Sequence, residues 1–287
     1  MNAEERYLWD LTGYLVARRV LASGELLAAN EAIDLHQDRM RIADDNLGAG
    51  DSHSLRGTGR PTMHGLLEME RPHCEPFRRM LVHPAVVSRL NAMCGSGFRL
   101  DHGPLLIAGV KGTEGLTMHG SGEPHRPQVA YNHQNGQSYC GGVTVSWQLA
   151  DVNPGDGGFV CVPGSHKSGY QMPPGVRTCD DDMGTVVQPA LGAGDVLFFM
   201  DGAQTHGTRP WQSQRPRRSI LFKYAARSCV RGGPAQDLAS PEIYWGEDVV
   251  AEMTDEQRAV MFGPYSNHRG EVPFLAVDDS GNVRIER

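Results

Sequence analysis

The stretch Gly157-Gly158-Phe159-Val160-Cys161-Val162-Pro163-Gly164-Ser165-His166-Lys167 is an apolar run closed by a Pro-Gly turn, and its continuation decides the fold. Forty residues past His166 comes His206, near the end of Asp201-Gly202-Ala203-Gln204-Thr205-His206-Gly207. Eleven residues past His206 comes Arg217, in Arg217-Arg218-Ser219-Ile220. Apolar runs, Val196 to Met200 and Ile220 to Ala225, lie before the first of these segments and after the second. Short β-rich runs bounded by Gly, Pro, Asn and Asp predict strands of a sandwich or barrel.

The same texture begins at Phe98 and includes Leu105 to Val110, Val129 to Tyr131, Val143 to Leu149, Phe159 to Val162 and Val186 to Pro189. Val143-Thr144-Val145-Ser146-Trp147-Gln148-Leu149 alternates strictly, which predicts one apolar and one polar face. Asn153-Pro154-Gly155-Asp156-Gly157-Gly158 reads as a turn between two strands. Before Phe98 the pattern is mostly helical. Ser23 is placed to cap a helix through Leu26, Leu27, Ala29, Ile33 and Leu35, with Glu25 in its first turn. Pro76 to Met93 is helical with a break near His83-Pro84, and Gly13 to Val16 reads as an edge strand. Residues 41–62, rich in Gly, Asp, Ser and Arg, read as a long surface loop. Thr254-Asp255-Glu256-Gln257 has the form of a capping box. The expected architecture is mainly β with flanking helices, a double-stranded β-helix or jelly roll. One domain is expected over 1–287: mostly helical support at 1–97, the jelly-roll core at 98–226 and a C-terminal extension at 227–287.

Composition narrows the function classes. A net charge of −7 argues against a nucleic-acid partner, which needs a basic field. No run approaches the ~18 apolar residues of a membrane span, and MNAEERYLWD has no apolar secretion-signal core. The six cysteines show no C-x-x-C spacing and read as reduced thiols, so a cytoplasmic location is expected.

The quoted segments resemble the phytanoyl-CoA dioxygenase family of iron(II)- and 2-oxoglutarate-dependent oxygenases. The likeness is specific over roughly 97–226 and fainter over the first hundred residues. It implies a jelly roll, with Fe(II), 2-oxoglutarate and O₂ as cofactor and cosubstrates and a small molecule as substrate. Family members take a first histidine and a carboxylate from a His-x-Asp or His-x-Glu tripeptide and a second histidine late in the barrel. An arginine on the following strand holds the distal carboxylate of 2-oxoglutarate. His206 and Arg217 stand at those later positions, and Ser219 shares the strand face of Arg217.

The first position departs from the pattern. Only His36-Gln37-Asp38 and His73-Cys74-Glu75 have the tripeptide form, and both lie in the helical third, where they read as surface residues. Of the histidines in the right region, His119, in Leu116-Thr117-Met118-His119-Gly120-Ser121-Gly122, resembles a Leu-His-Gly-Gly segment of one bacterial branch and is the expected ligand. His133 and His125 remain alternatives, and His166 is read as support for the site. With His119 as ligand, Ser121 stands at the carboxylate position. Glu123 could then supply the carboxylate, chloride could take its place as in the aliphatic halogenases, or the centre could be degraded. The expected catalytic set is His119, His206 and Arg217: His119 and His206 on iron, Arg217 and Ser219 on the cosubstrate. The expected activity is hydroxylation of an unactivated C–H bond with release of succinate and CO₂. Halogenation and non-catalytic ligand binding are the alternatives.

Overall fold

The computed structural model describes residues 1–43, 48–120, 126–229, 238–265 and 272–286. The chain opens with helix α1 (Ala3–Thr12), strand β1 (Tyr14–Ala17) and helix α2 (Ser23–Leu35). Asn2 and Glu5 form a reciprocal capping box on α1, and Gly13 ends the helix in the left-handed conformation. The α2 cap lies one residue earlier than expected: Ala22 precedes the helix, and its N–H donates to the Glu25 carboxylate at 2.9 Å.

Residues 41–62 are not the open surface loop expected. Their ends form β2 (Arg41–Ile42) and β3 (Pro61–Met63), while Ala49, Ser52 and Leu55 between them are buried. Leu55 is packed against Gly115, whose N–H donates to its carbonyl. An apolar side chain in a Gly- and Ser-rich stretch thus anchors the loop to the barrel. Next come α3 (Glu75–Leu81) and α4 (Pro84–Met93), split at the expected break, where Pro84 occupies the first turn of α4.

The barrel follows as β4 (Arg99–Gly109), β5 (Leu116–His119), a hairpin of β6 (Tyr131–Gln134) and β7 (Gln137–Cys140), β8 (Gly142–Gln148) and β9 (Gly158–Cys161). A short helix α5 (Pro174–Thr178) precedes β10 (Val196–Phe199), β11 (His206–Arg209) and β12 (Arg217–Ala225). Two of the expected strands are reduced. Pro127–Val129 is a single helical turn, and Val187 makes only a bridge to Cys161. Short helices α6 (Pro241–Trp245), α7 (Glu247–Val250) and α8 (Asp255–Ala259) lead to a hairpin of β13 (Phe274–Val277) and β14 (Val283–Glu286). Thr254 and Gln257 form the expected capping box on α8. Among the described residues no helix is long and apolar enough to cross a membrane.

Seven strands form one sheet in the order β1-β10-β8-β12-β4-β3-β2, and β5-β11-β9 form a second. The interleaved orders β4-β12-β8-β10 and β5-β11-β9 are those of a double-stranded β-helix. Strict alternation in β8 has the predicted two faces, but neither is solvated: all seven residues are buried. Val143, Val145 and Trp147 join Ile220, Phe222 and Tyr224 in a core beneath the helices that reaches from Trp9 to Leu275. Thr144, Ser146 and Gln148 face inward, toward the second sheet, with Arg217, Ser219 and Lys223 of β12. A smaller core of Val152, Leu191, Leu197, Phe199 and Trp211 closes the space between the sheets. A buried polar surface inside an apolar shell is where a site can be built.

Two substitutions test this layering. Trp147→Ala, at a fully buried position, should destabilise the fold by about 3–5 kcal/mol. Tyr224→Phe removes the 2.7 Å bond to the Leu81 carbonyl and should cost about 1–3 kcal/mol. Chemical denaturation monitored by fluorescence reads both.

Candidate functional site

His119 ends β5, His206 begins β11, and the two are direct partners in the register. Cross-strand partners project to the same side of a sheet, and the two rings lie 4.2 Å apart between centroids. Their local bonding is the same. His119 Nδ1 lies 3.0 Å from the Thr117 carbonyl, and His206 Nδ1 lies 2.8 Å from the Gln204 carbonyl. A carbonyl only accepts, so each Nδ1 carries the proton and each Nε2 keeps its lone pair. Burial reinforces this. The pKa of His206 is pushed down to about 3, first by desolvation and then by neighbouring His119, and desolvation lowers that of His119 as well. Near neutral pH the site holds two uncharged imidazoles.

The turns around the pair are tightly specified. Gly120 has φ +90°, and a Cβ there would lie 2.3 Å from the Gln204 carbonyl oxygen, so the turn after His119 needs glycine. The Thr205 N–H donates to Ser165 Oγ at 2.8 Å, and that hydroxyl donates to the Val162 carbonyl at 2.7 Å. The Pro-Gly-Ser-His segment therefore braces the approach to His206. His166 itself faces α1, its Nε2 2.9 Å from the Asp10 carbonyl. Phe199 and Phe159 wall His206 at 4.7 and 6.2 Å between ring centroids.

A third ionisable side chain stands beside the pair. Asp201, just past β10, is buried; its Oδ2 accepts from Thr144 Oγ1 at 2.7 Å and lies 3.3 Å from Lys223 Nζ. Its Oδ1 lies 3.9 Å from His206 Nε2. The His-x-Asp pattern does not point to it, because it precedes its histidine in the chain. The available signal was an acidic residue closing a buried strand five positions before His206. Among the described residues, no three or more His, Cys, Asp or Glu side chains are already assembled as a metal cluster.

Arg217 opens β12 opposite Gly109 and is only 7% exposed. Gly158 lies against its guanidinium: a Cβ there would meet Arg217 Nε at 3.5 Å and the Trp211 ring at 3.5 Å. Those are ordinary contact distances, and it is the φ of +82° that calls for glycine at this position. Among the described residues Arg217 Nε has no hydrogen-bond partner. Desolvation and then neighbouring Arg60 lower its pKa to about 10. Arg60 itself faces Glu114 at 3.7 Å. Arg217 shares a small cavity with Arg60, Glu114, Thr113, Thr208 and Trp211, and a buried cation gains from an anion brought beside it. Ser219 lies on the same face, and its hydroxyl donates to Gln148 Oε1 at 2.8 Å. Arg218 turns the other way, to Asn30 and Asp34 of α2, so the two arginines do different work.

The remaining candidates fall elsewhere. His36 and His73 are half-buried and meet edge to face at 4.8 Å on the helical side, a contact between the two tripeptides that a surface reading did not anticipate. His133 is exposed on the β6–β7 hairpin and bonded to Ser138 Oγ. Ser121, Glu123 and His125 lie outside the described residues.

A family model described as phytanoyl-CoA dioxygenase (PhyH) matches residues 9–219. No curated protein matches the sequence. Among solved structures, HygX from Streptomyces hygroscopicus, crystallised with nickel, 2-oxoglutarate and hygromycin B, is 22% identical. It aligns over 79% of this chain and 88% of its own, with a TM-score of 0.63. The non-heme alpha-ketoglutarate-dependent carbocyclase SnoK from nogalamycin biosynthesis is 18% identical over 79% of this chain and 85% of its own, with a TM-score of 0.56. The epimerase SnoN from the same biosynthesis is 18% identical over 78% and 82%, with a TM-score of 0.55. At these identities the likeness carries the fold alone.

The depressed pKa of His206 has a consequence for the metal-free protein. The unfolded chain takes up the proton near the ordinary 6.5 and the folded chain only near about 3. The unfolded state binds more protons in that window, so stability falls as pH drops through it. His206→Gln should flatten this acid-side loss of Tm, measured by thermal melts in chelator. Equal slopes in the two proteins would contradict the assignment.

Proposed function

The chain belongs to the phytanoyl-CoA dioxygenase family, and from that premise we propose that it is an iron(II)- and 2-oxoglutarate-dependent oxygenase that hydroxylates an unactivated C–H bond of a small organic molecule. The observation that carries the reading is the pairing of two neutral imidazoles with a buried guanidinium whose Nε has no hydrogen-bond partner among the described residues. Imidazole nitrogens suit a divalent first-row metal, and a desolvated guanidinium suits one end of a dicarboxylate. Along β11 the step from His206 to Thr208, which lines the arginine cavity, is about 7 Å. That is the scale of a five-carbon dicarboxylate reaching from metal to arginine. The metal-facing residues and the core of helices and sheet belong in this reading to one oxygenase domain over 1–287.

In this reading His119 and His206 hold iron(II) through Nε2. Their bonds to the Thr117 and Gln204 carbonyls fix both rings before the metal arrives, so little ordering remains at binding. Iron(II), when bound with 2-oxoglutarate, supplies O₂-dependent oxidation in which the cosubstrate becomes succinate and CO₂ and one oxygen atom enters the substrate. Arg217 takes the distal carboxylate in a two-pronged bond. Ser219 orders the floor beside it, with the Gln148 amide donating on to Ser146 Oγ at 2.9 Å. Phe159, Phe199 and Trp211 keep water from the reacting centre.

Hydroxylation is the chosen outcome because the family is described by a dioxygenase activity. The solved relatives include a carbocyclase and an epimerase, so fold alone does not select the product. Product mass does: gain of one oxygen atom supports hydroxylation, a chloride-dependent gain installs halogenation instead, and no succinate release leaves a ligand-binding protein.

Two substitutions test the residue roles. His206→Ala should abolish stoichiometric iron binding, measured anaerobically by calorimetry; full retention would remove the histidine pair from the centre. Loss of one partner of a buried charged pair costs about 3–5 kcal/mol, so Arg217→Ala should raise KM for 2-oxoglutarate at least a hundredfold. Arg218→Ala should leave KM unchanged, since it faces α2. Equal effects at both arginines would indicate a diffuse basic patch and no specific anchor.

A further inference from the structure

The residue two positions after His119 is Ser121, and a hydroxyl is a weak ligand beside two imidazoles. A different carboxylate stands at the same rim of the barrel. Asp201 follows β10 and precedes β11, so the turn between those strands delivers it next to His206. It is 6% exposed, with Oδ1 3.9 Å from His206 Nε2. Thr144 Oγ1 at 2.7 Å and Lys223 Nζ at 3.3 Å both engage Oδ2. The carboxylate is therefore held from behind, by β8 and β12, with its other oxygen directed at the histidine pair.

We propose that Asp201 is the carboxylate ligand of this centre, completing a two-histidine, one-carboxylate set from the β10–β11 turn. The inference rests on the metal reading of His119 and His206 above. Two imidazoles and one carboxylate form a donor set that suits iron(II) and leaves positions open for cosubstrate and oxygen. Adjacent ligands about 2.1 Å from one metal lie about 3 Å apart, so Asp201 needs to advance roughly 1 Å on binding. A single side-chain rotation covers that distance. Thr144 and Lys223 then act as outer partners that orient the ligand.

The test is titration of the metal-free protein with Co(II), followed by calorimetry and visible absorption, with circular dichroism to verify the fold of each variant. Wild type should bind one Co(II). Asp201→Asn, which is isosteric and still accepts from Thr144, should weaken binding at least tenfold and change the d–d bands. If that variant does not fold, Asp201→Ser is read in the same way. Thr144→Val should keep the stoichiometry with a smaller loss of affinity, and Glu123→Ala should bind as wild type does. Wild-type affinity and spectrum in the Asp201 variants, with metal lost in His206→Ala, would overturn the role of Asp201 and leave the histidine pair standing. Metal lost in Glu123→Ala but kept in Asp201→Asn would overturn it in favour of Glu123. No binding by wild type, or full binding by His206→Ala, would bring down both readings.

Discussion

Strand β11 pairs with β5 in the register that sets His206 directly across from His119, and most of the interior is arranged around keeping that register. A slip of β11 by one residue would turn His206 to the face opposite His119. Three features hold it. Gly120 permits the tight turn after His119, Ser165 catches the N–H that precedes His206, and an irregularity between His206 and Thr208 aims the histidine without committing the rest of the strand. The bonds from both rings to carbonyls two residues back then convert strand register into ring orientation.

The second constraint is electrostatic. The inner face of the large sheet carries Thr144, Ser146, Gln148, Ser219, Lys223 and Arg217 within a sealed apolar shell. Such a face is tolerable when its groups satisfy one another, and the neutral ones do: Ser219 donates to Gln148, and Gln148 to Ser146. Charge is treated differently at the two ends. Lys223 lies beside Asp201, whereas Arg217 has a depressed pKa and no carboxylate partner among the described residues. The strand thus carries a balanced pair at one end and an unbalanced cation at the other, and the unbalanced end is where an incoming anion gains most.

What could be read from sequence and what could not divides along physical lines. Strand period, Gly-Pro punctuation and capping boxes are local, so the jelly roll, the split at His83-Pro84 and the Thr254 cap were recoverable from adjacent residues alone. Burial of both faces of β8 was not, because alternation reports polarity and not solvent: Thr144, Ser146 and Gln148 look like a wet face and line a dry interior. Leu55 misled in the opposite sense, as one apolar residue in a polar loop whose partner, Gly115, lies sixty positions on. The spacing of His206 and Arg217 was visible because both open strands that are consecutive in the chain. Asp201 was not singled out, because its closeness to His206 depends on how one turn folds back over β8.

The turn before His206 is also tied to the start of the chain. Gln204 Nε2 donates to the Thr12 carbonyl at 2.6 Å, His166 bonds to the Asp10 carbonyl, and Lys167 pairs with the Asp10 carboxylate at 2.8 Å. Helix α1 is therefore a clasp on the turn that carries His206. Tagging, trimming or docking a partner at the amino terminus would be felt at His206 without altering a single barrel strand, which makes that end of the molecule a lever on the centre.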